Sequence, residues 1–175
     1  MCIRDSFKGG WMTTKSKVTN DNYPYPLLYQ AVGEVVKLMM CSKAHRHYTM
    51  EHIDRLVLPA LIKNKCHVYY NKDDGDMIGF ISYIFLKPKT ETKYINRSGL
   101  IDWEDWSTEP EQGNFWVMDV IAPFGGASNM CRDAAKQLGD RYPGKRMYFR
   151  RALQKDRVSS VMLPNRNVIE SKGVH

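Results

Sequence analysis

The run Trp116-Val117-Met118-Asp119-Val120-Ile121-Ala122-Pro123-Phe124-Gly125-Gly126 constrains this chain more than any other segment. Phe115 to Ile121 is rich in β-branched and aromatic residues and reads as a strand. Pro123 and the two glycines break it. Beyond them Met130, Ala134 and Leu138 recur at helical spacing, with Ser128 or Asn129 as the candidate N-cap and Gly139 as the stop. The unit is therefore strand, tight bend, helix. Glycines at such a junction free backbone N–H groups to face an anion, and the positive end of the helix dipole adds to the attraction. Taken alone, the pattern is more often a plain turn than a phosphate site. Asp119 adds to it. Strict alternation places its side chain with Val117 and Ile121, and a carboxylate on an apolar strand must be paired or hydrogen-bonded, or it destabilises the fold.

The other elements follow from periodicity. Leu28, Ala31, Val32, Val35, Val36 and Met39 predict a helix over 27–40. The chain breaks at Cys41-Ser42-Lys43-Ala44-His45-Arg46. Thr49 then caps a second helix carrying Ile53, Leu56, Val57 and Ala60, which Pro59 should kink or end. Cys66 to Asn71 and Met77 to Leu86 read as a hairpin around Asp74-Gly75. Arg146 to Leu153 and Val158 to Leu163 read as further strands. Two helices, a hairpin, a strand, a glycine bend, a helix and a strand make an α+β fold with a single mixed or antiparallel sheet flanked by helices.

The chain has 175 residues, 43% hydrophobic and 26% charged, which suits one packed domain. Residues 26–163 form that domain. Residues 1–25 read as a leader and arm, of which 1–11 look foreign to the fold with Met12 as a natural start, and 164–175 read as a tail. No secretory signal stands at the N-terminus, and no apolar run is long enough to span a membrane. Four scattered cysteines without CxxC spacing fit a reducing cytoplasm.

The net charge of +7 is uneven. Residues 144–175 carry eight basic and two acidic side chains, a net of +6, whereas 102–111 carry five acidic and no basic ones. A basic C-terminal third suits an acidic partner such as phosphate, nucleic acid or an acidic protein, or is simply a soluble surface.

His45, His47 and His52 form a histidine cluster, but no Cys or Asp stands at a spacing that would complete a metal site, so no metal is expected. A histidine before a helix is usually a surface or capping residue. Its ordinary pKa nonetheless suits a general base. Asp119 is read either as a buried ion-pair partner of an arginine or as a carboxylate that orients a histidine or a substrate amine. Trp103, Trp106 and Trp116 read as core or rim. Tyr148 and Phe149 alternate with basic residues in a pattern that a nucleic-acid surface could share, although on a strand they face the core equally well.

The ordered occurrence of Ser42-x-x-His45-Arg46, Leu58-Pro59-Ala60, Lys93-Tyr94-Ile95-Asn96, Glu104-Asp105-Trp106 and Asp119-x-Ile121-Ala122-Pro123-Phe124-Gly125 resembles the toxin-activating lysine-acyltransferase family of the hemolysin C type, from about Leu28 to about Val161. The resemblance implies a fold similar to Gcn5-related N-acetyltransferases. It implies transfer of a fatty acyl group from acyl carrier protein, the phosphopantetheine thioester donor, to internal lysines of an RTX protoxin in the cytoplasm, with no permanently bound cofactor. It points to His45 and Asp119 as the catalytic pair, to Ser42 as a supporting residue, and to Pro123, Phe124, Gly125 and Gly126 as the donor-binding turn. Arg151 matches a basic position of the family. Acyl carrier protein is acidic, so the basic C-terminal third has a natural partner. Nucleic acid is then not expected, and a homodimer is an admissible assembly.

The sequence departs from the family in Gly126-Ala127 after Pro-Phe-Gly, in a C-terminal region without Gly-Gly, and in the arm over 13–25. These differences bear on the acceptor more than on the chemistry. Direct amine attack and a covalent acyl-enzyme both stay open. Two other classes compete: a coenzyme A-dependent N-acetyltransferase-like enzyme, and a non-catalytic basic binding module.

Overall fold

The computed structural model describes residues 11–13, 25–96, 101–150 and 158–164. In chain order the elements are β1 (Trp11–Thr13), α1 (Tyr25–Cys41), α2 (50–62), β2 (Cys66–Asn71), β3 (Met77–Leu86), α3 (Pro88–Ile95), a 3₁₀ turn (Trp103–Ser107), β4 (Asn114–Ile121), α4 (Ala127–Arg141), β5 (Arg146–Arg150) and β6 (Val158–Met162). The strands form one six-stranded sheet in sequence order. Every neighbouring pair is antiparallel except β4–β5, which is parallel. That one parallel pair follows from α4, the crossover that carries the chain back to the start of a strand. The α+β layout expected from periodicity is the one observed.

Both faces of the sheet are covered, so β3 at its centre is buried along its whole length and reads as a continuous apolar run. One face packs Phe80, Ile84, Trp116 and Ile121 against α1 and α2. The other packs Ile78, Ile81, Tyr83, Phe85 and Phe115 against Met130, Ala134 and Leu138 of α4, the three residues the helical spacing selects. At Gly79 a Cβ would lie 2.4 Å from Met130 Sδ, so the Met130 side chain of α4 lies directly on the glycine and would have to shift to admit a larger residue.

The structure corrects four sequence expectations. Pro59 does not end the second helix where it stands, although the α-helical pattern is irregular just before it: α2 runs as α-helix Met50–His52, a π-helical turn Ile53–Val57 and α-helix Leu58–Ile62. Proline cannot donate to the carbonyl four residues back. That carbonyl belongs to Arg55, and it accepts the indole N–H of Trp106 at 2.9 Å. Gly139 does not stop α4, which continues to Arg141. The glycine instead admits Pro164, whose Cγ would lie 2.7 Å from a Cβ there. Neither Ser128 nor Asn129 caps α4; its N-cap is Gly126 in the left-handed conformation. Finally, Trp11, within the stretch set aside as a leader, belongs to β1, which pairs with Tyr69–Asn71 as an edge strand.

Other expectations hold. The β2–β3 hairpin turns through Gly75 at φ +74°, locked by Asn71 Nδ2 donating to Asp74 Oδ2 at 2.8 Å. Thr49 caps α2 together with His52, whose Nδ1 accepts from the Thr49 backbone N–H at 3.2 Å. Trp106 and Trp116 are core residues. The fourth expected strand is described as far as Arg150; its remainder, Arg151 to Leu153, lies outside the described residues. No helix among the described residues is long and apolar enough to cross a membrane.

Candidate active site

The loop after α1 and the end of β4 meet over the α1–α2 face of the sheet. Ser42 begins the loop as its amide bonds back to Met39 O, and its own carbonyl accepts from the amides of His45 and Arg46. This compact turn presents the Ser42 and His45 side chains together. Ser42 Oγ lies 2.7 Å from His45 Nδ1. The other ring nitrogen, His45 Nε2, lies 3.6 Å from Asp119 Oδ1, with the two side chains only 12% and 7% exposed.

Asp119 reaches this face through an irregularity in the sheet. Ser82 pairs with Asp119, but Tyr83 pairs with Val117, so Met118 is an extra residue on β4. Such a bulge breaks the alternation of faces and re-aims the side chains beyond it. Val117 packs with the α4 face, while Met118 and Ile121 pack with the α1–α2 face. Asp119 therefore shares a face with Ile121, as expected, but not with Val117. Without the bulge, alternation from Val117 would turn the carboxylate toward α4, away from His45.

Two tyrosines complete the cluster. The Tyr48 hydroxyl donates to Asp119 Oδ1 at 2.8 Å. Burial first, and then the adjacent Asp119 carboxylate, push the Tyr48 phenol far above its ordinary value, so it is a donor at any working pH. Tyr94, on α3, is pushed up to about 12 by burial and by Asp119, against the opposing Arg150. Its ring packs edge-on to Trp116 at 5.3 Å and under the Arg150 guanidinium at 4.6 Å. Arg150 also donates to the Tyr94 carbonyl at 2.6 Å and to that of Ile95, which caps the C-terminal end of α3. Trp116 Nε1 donates to Glu91 Oε1 at 2.7 Å, tying the same helix to β4. Directly across from Asp119 stands Ser82, whose Oγ is fully buried without a hydrogen-bond partner among the described residues.

Beyond Asp119, β4 runs into Pro123 to Gly126. Gly125 and Gly126 have φ of +97° and +79°, the left-handed region that favours glycine. No side chain caps α4, so no side chain competes with an anion for the N–H groups of its first turn, which carry the positive end of the helix dipole. Phe124 is 40% exposed at the tip of the turn. His47 and His52 do not converge on His45: His52 is spent on the Thr49 cap, and Arg46 Nε donates to His47 Nε2 at 3.3 Å. Among the described residues no group of three or more potential metal ligands converges. Arg151 lies outside the described residues.

The structure thus brings Ser42, His45 and Asp119 together, as the ordered motifs lead one to expect, and adds Tyr48, which the sequence does not single out. Its only signal was its position three residues after His45, which on a turn places two side chains side by side. Tyr94 and Trp106 were visible as members of ordered motifs, without their roles.

The residues that build this site fall within a region matching known proteins. Residues 28–162 match the RTX toxin acyltransferase family. The chain is 29% identical over 117 residues to the RTX-I toxin-activating lysine-acyltransferase ApxIC of Actinobacillus pleuropneumoniae, covering 67% of this chain and 63% of that protein. It is 29% identical over 115 residues to the leukotoxin-activating lysine-acyltransferase LktC of Mannheimia haemolytica serotype A1, covering 66% and 64%. It is 30% identical over 121 residues to the protein-lysine myristoyltransferase HlyC of Escherichia coli, covering 69% and 66%. The matched region spans just under two thirds of the length of these relatives. With its family match extending over most of its length, the chain belongs to the RTX toxin acyltransferase family.

Proposed function

We propose that the chain transfers a fatty acyl group from the phosphopantetheine thioester of acyl carrier protein to the ε-amine of internal lysines on an RTX protoxin-like acceptor, in the cytoplasm. The carrying observation is the buried cluster of Ser42, His45 and Asp119. With Nδ1–H donated to Ser42 Oγ, His45 Nε2 carries the lone pair that takes a proton from the lysine ammonium. The amine nitrogen bonds to the acyl carbonyl carbon, the thioester C–S bond breaks, and the thiolate leaves with a proton. Asp119, held beside Nε2, stabilises the imidazolium that forms. The Pro123 to Gly126 turn suits the pantetheine phosphate, and the basic residues of 144–175 suit an acidic carrier.

A fold similar to Gcn5-related N-acetyltransferases accommodates these parts. In support, the described ladder between the parallel strands β4 and β5 is confined to Phe115↔Met147 and Trp116↔Tyr148. Among the described residues the two strands thus pair only at the start of β4, leaving its Asp119 end beyond that ladder. In that arrangement the donor arm enters beside β4.

The test is mass spectrometry of unmodified Mannheimia haemolytica leukotoxin incubated with the protein and myristoyl-acyl carrier protein. Acylated lysines are expected, with His45→Ala and Asp119→Ala lowering the rate by at least about 100-fold. Full activity in either variant refutes its role, and transfer from myristoyl-coenzyme A alone refutes the carrier.

The 2.7 Å Ser42–His45 contact also favours a second route. In the opposite tautomer Ser42 Oγ–H donates its proton to Nδ1 as Oγ bonds to the acyl carbon, the thioester C–S bond breaks and the thiolate leaves with that proton, giving an acyl-serine. The lysine amine then bonds to the acyl carbon, the ester C–O bond breaks and Ser42 regains its proton. Intact-mass detection of an acylated enzyme that Ser42→Ala abolishes would establish this route; its absence under single-turnover conditions selects direct attack.

A further inference from the structure

We propose that Tyr48 is a positioning residue that holds the Asp119 carboxylate just off His45, keeping the imidazole free to act as a base. The inference rests on the acyl-transfer reading for its kinetic consequence only. Tyr48 has little freedom. Its amide bonds to His45 O at 2.9 Å. Its ring stands edge-on to His45 at 5.2 Å and packs against His52 at 4.6 Å. Wedged between two imidazoles, it directs its hydroxyl at Asp119 Oδ1, 2.8 Å away.

That oxygen is the one facing His45 Nε2 at 3.6 Å. The first distance is a hydrogen bond and the second is too long for one. A carboxylate in direct contact with an imidazole favours the imidazolium, which cannot accept a proton. By engaging Oδ1, the phenol draws on the charge that would otherwise settle on His45. The short remaining gap lets the carboxylate respond once Nε2 is protonated. The titratable and polar groups around the pair are Ser42 on Nδ1, Tyr48 and Tyr94 on the carboxylate side, His52 behind Tyr48, and Arg150 behind Tyr94. Of the four ionisable ones, only Tyr48 is hydrogen-bonded to Asp119 among the described residues.

The experiment is NMR titration of His45 in the full chain, comparing wild type, Tyr48→Phe and protein carrying 3-fluorotyrosine at position 48. Phenylalanine keeps the ring wedge and removes the donor. The His45 midpoint is expected to rise by about one pH unit. In parallel, kcat/KM with myristoyl-acyl carrier protein should fall several-fold at neutral pH and recover at alkaline pH, with KM for the donor unchanged. Fluorination makes the phenol a stronger donor, so the midpoint should move the other way.

An unmoved midpoint in folded Tyr48→Phe overturns the inference. Should that variant fail to fold, the fluorotyrosine protein decides: a lowered midpoint supports the role, and an unchanged or raised one ends it. If wild type transfers no acyl group, the proposed function fails while the titration still decides the role of Tyr48.

Discussion

Two histidines lie on opposite faces of this sheet, and only one has the surroundings of a reactive group. His45 has a serine hydroxyl on one ring nitrogen and a carboxylate near the other. His67, on β2, lines a cleft of about 400 Å³ with Cys66, Tyr83, Gln137 and Arg141 on the α4 side. Its Nε2 is buried without a hydrogen-bond partner among the described residues. Burial pushes His67 down to about 4, with Asp133 opposing and Arg141 adding to the fall. The cleft is concave, yet burial disfavours the charged form of its histidine, whose Nε2 has no hydrogen-bond partner among the described residues to relay a proton. A partnered pair of nitrogens, more than a concave surface, is what distinguishes the candidate site.

The largest expected effect tests that contrast directly. His45→Ala should lower kcat/KM by about 100-fold or more, whereas His67→Ala should leave it within about twofold in protein that remains folded. Equal losses from both would break the comparison.

His67 should appear instead in acid stability. Its folded pKa is below the unfolded value, so the unfolded chain binds a proton first. Stability at neutral pH is therefore lost as pH falls from about 6.5 toward about 4, by an amount of order 2–3 kcal/mol. Urea unfolding across that window should show the loss in wild type and a flatter profile in His67→Phe. A profile unchanged by the substitution would show that burial does not hold this ring neutral.

Gly139→Ala sharpens the division between the faces. Its Cβ meets Pro164 at 2.7 Å, so the variant should lose about 1–3 kcal/mol of stability while keeping its kcat/KM at temperatures where it is folded. Loss of activity without loss of stability would mean that the α4 face feeds into the site.

Ser82→Ala should do least. Its Oγ is buried without a partner among the described residues, so its removal should change the unfolding free energy by no more than about 1 kcal/mol, in either direction. A larger loss would show that this hydroxyl supports Asp119 from across the strand.

Much of the site was legible because it is written locally. The Asp74-Gly75 hairpin, the apolar spacing of α1 and the strand–glycine–helix unit each depend on neighbours in sequence. Pro59 and Gly139 were misread for the opposite reason. Their local meanings, a helix break and a helix end, were overridden by Trp106 and Pro164, residues 47 and 25 positions away.

The same division runs through the chemistry. Sequence alone determined the α+β order of elements, singled out Ser42, His45 and Asp119 as candidates, and placed the glycine turn after β4, because periodicity, turn chemistry and ordered motifs are properties of a linear string. Only the tertiary structure decided that Asp119 faces His45. One extra residue in the β3–β4 register turns it to that face, and register is a relation between two strands that neither strand specifies by itself. Tyr48 likewise became part of the site only when the loop after α1 closed over β4, since a hydrogen bond across 71 residues is a matter of packing rather than spacing.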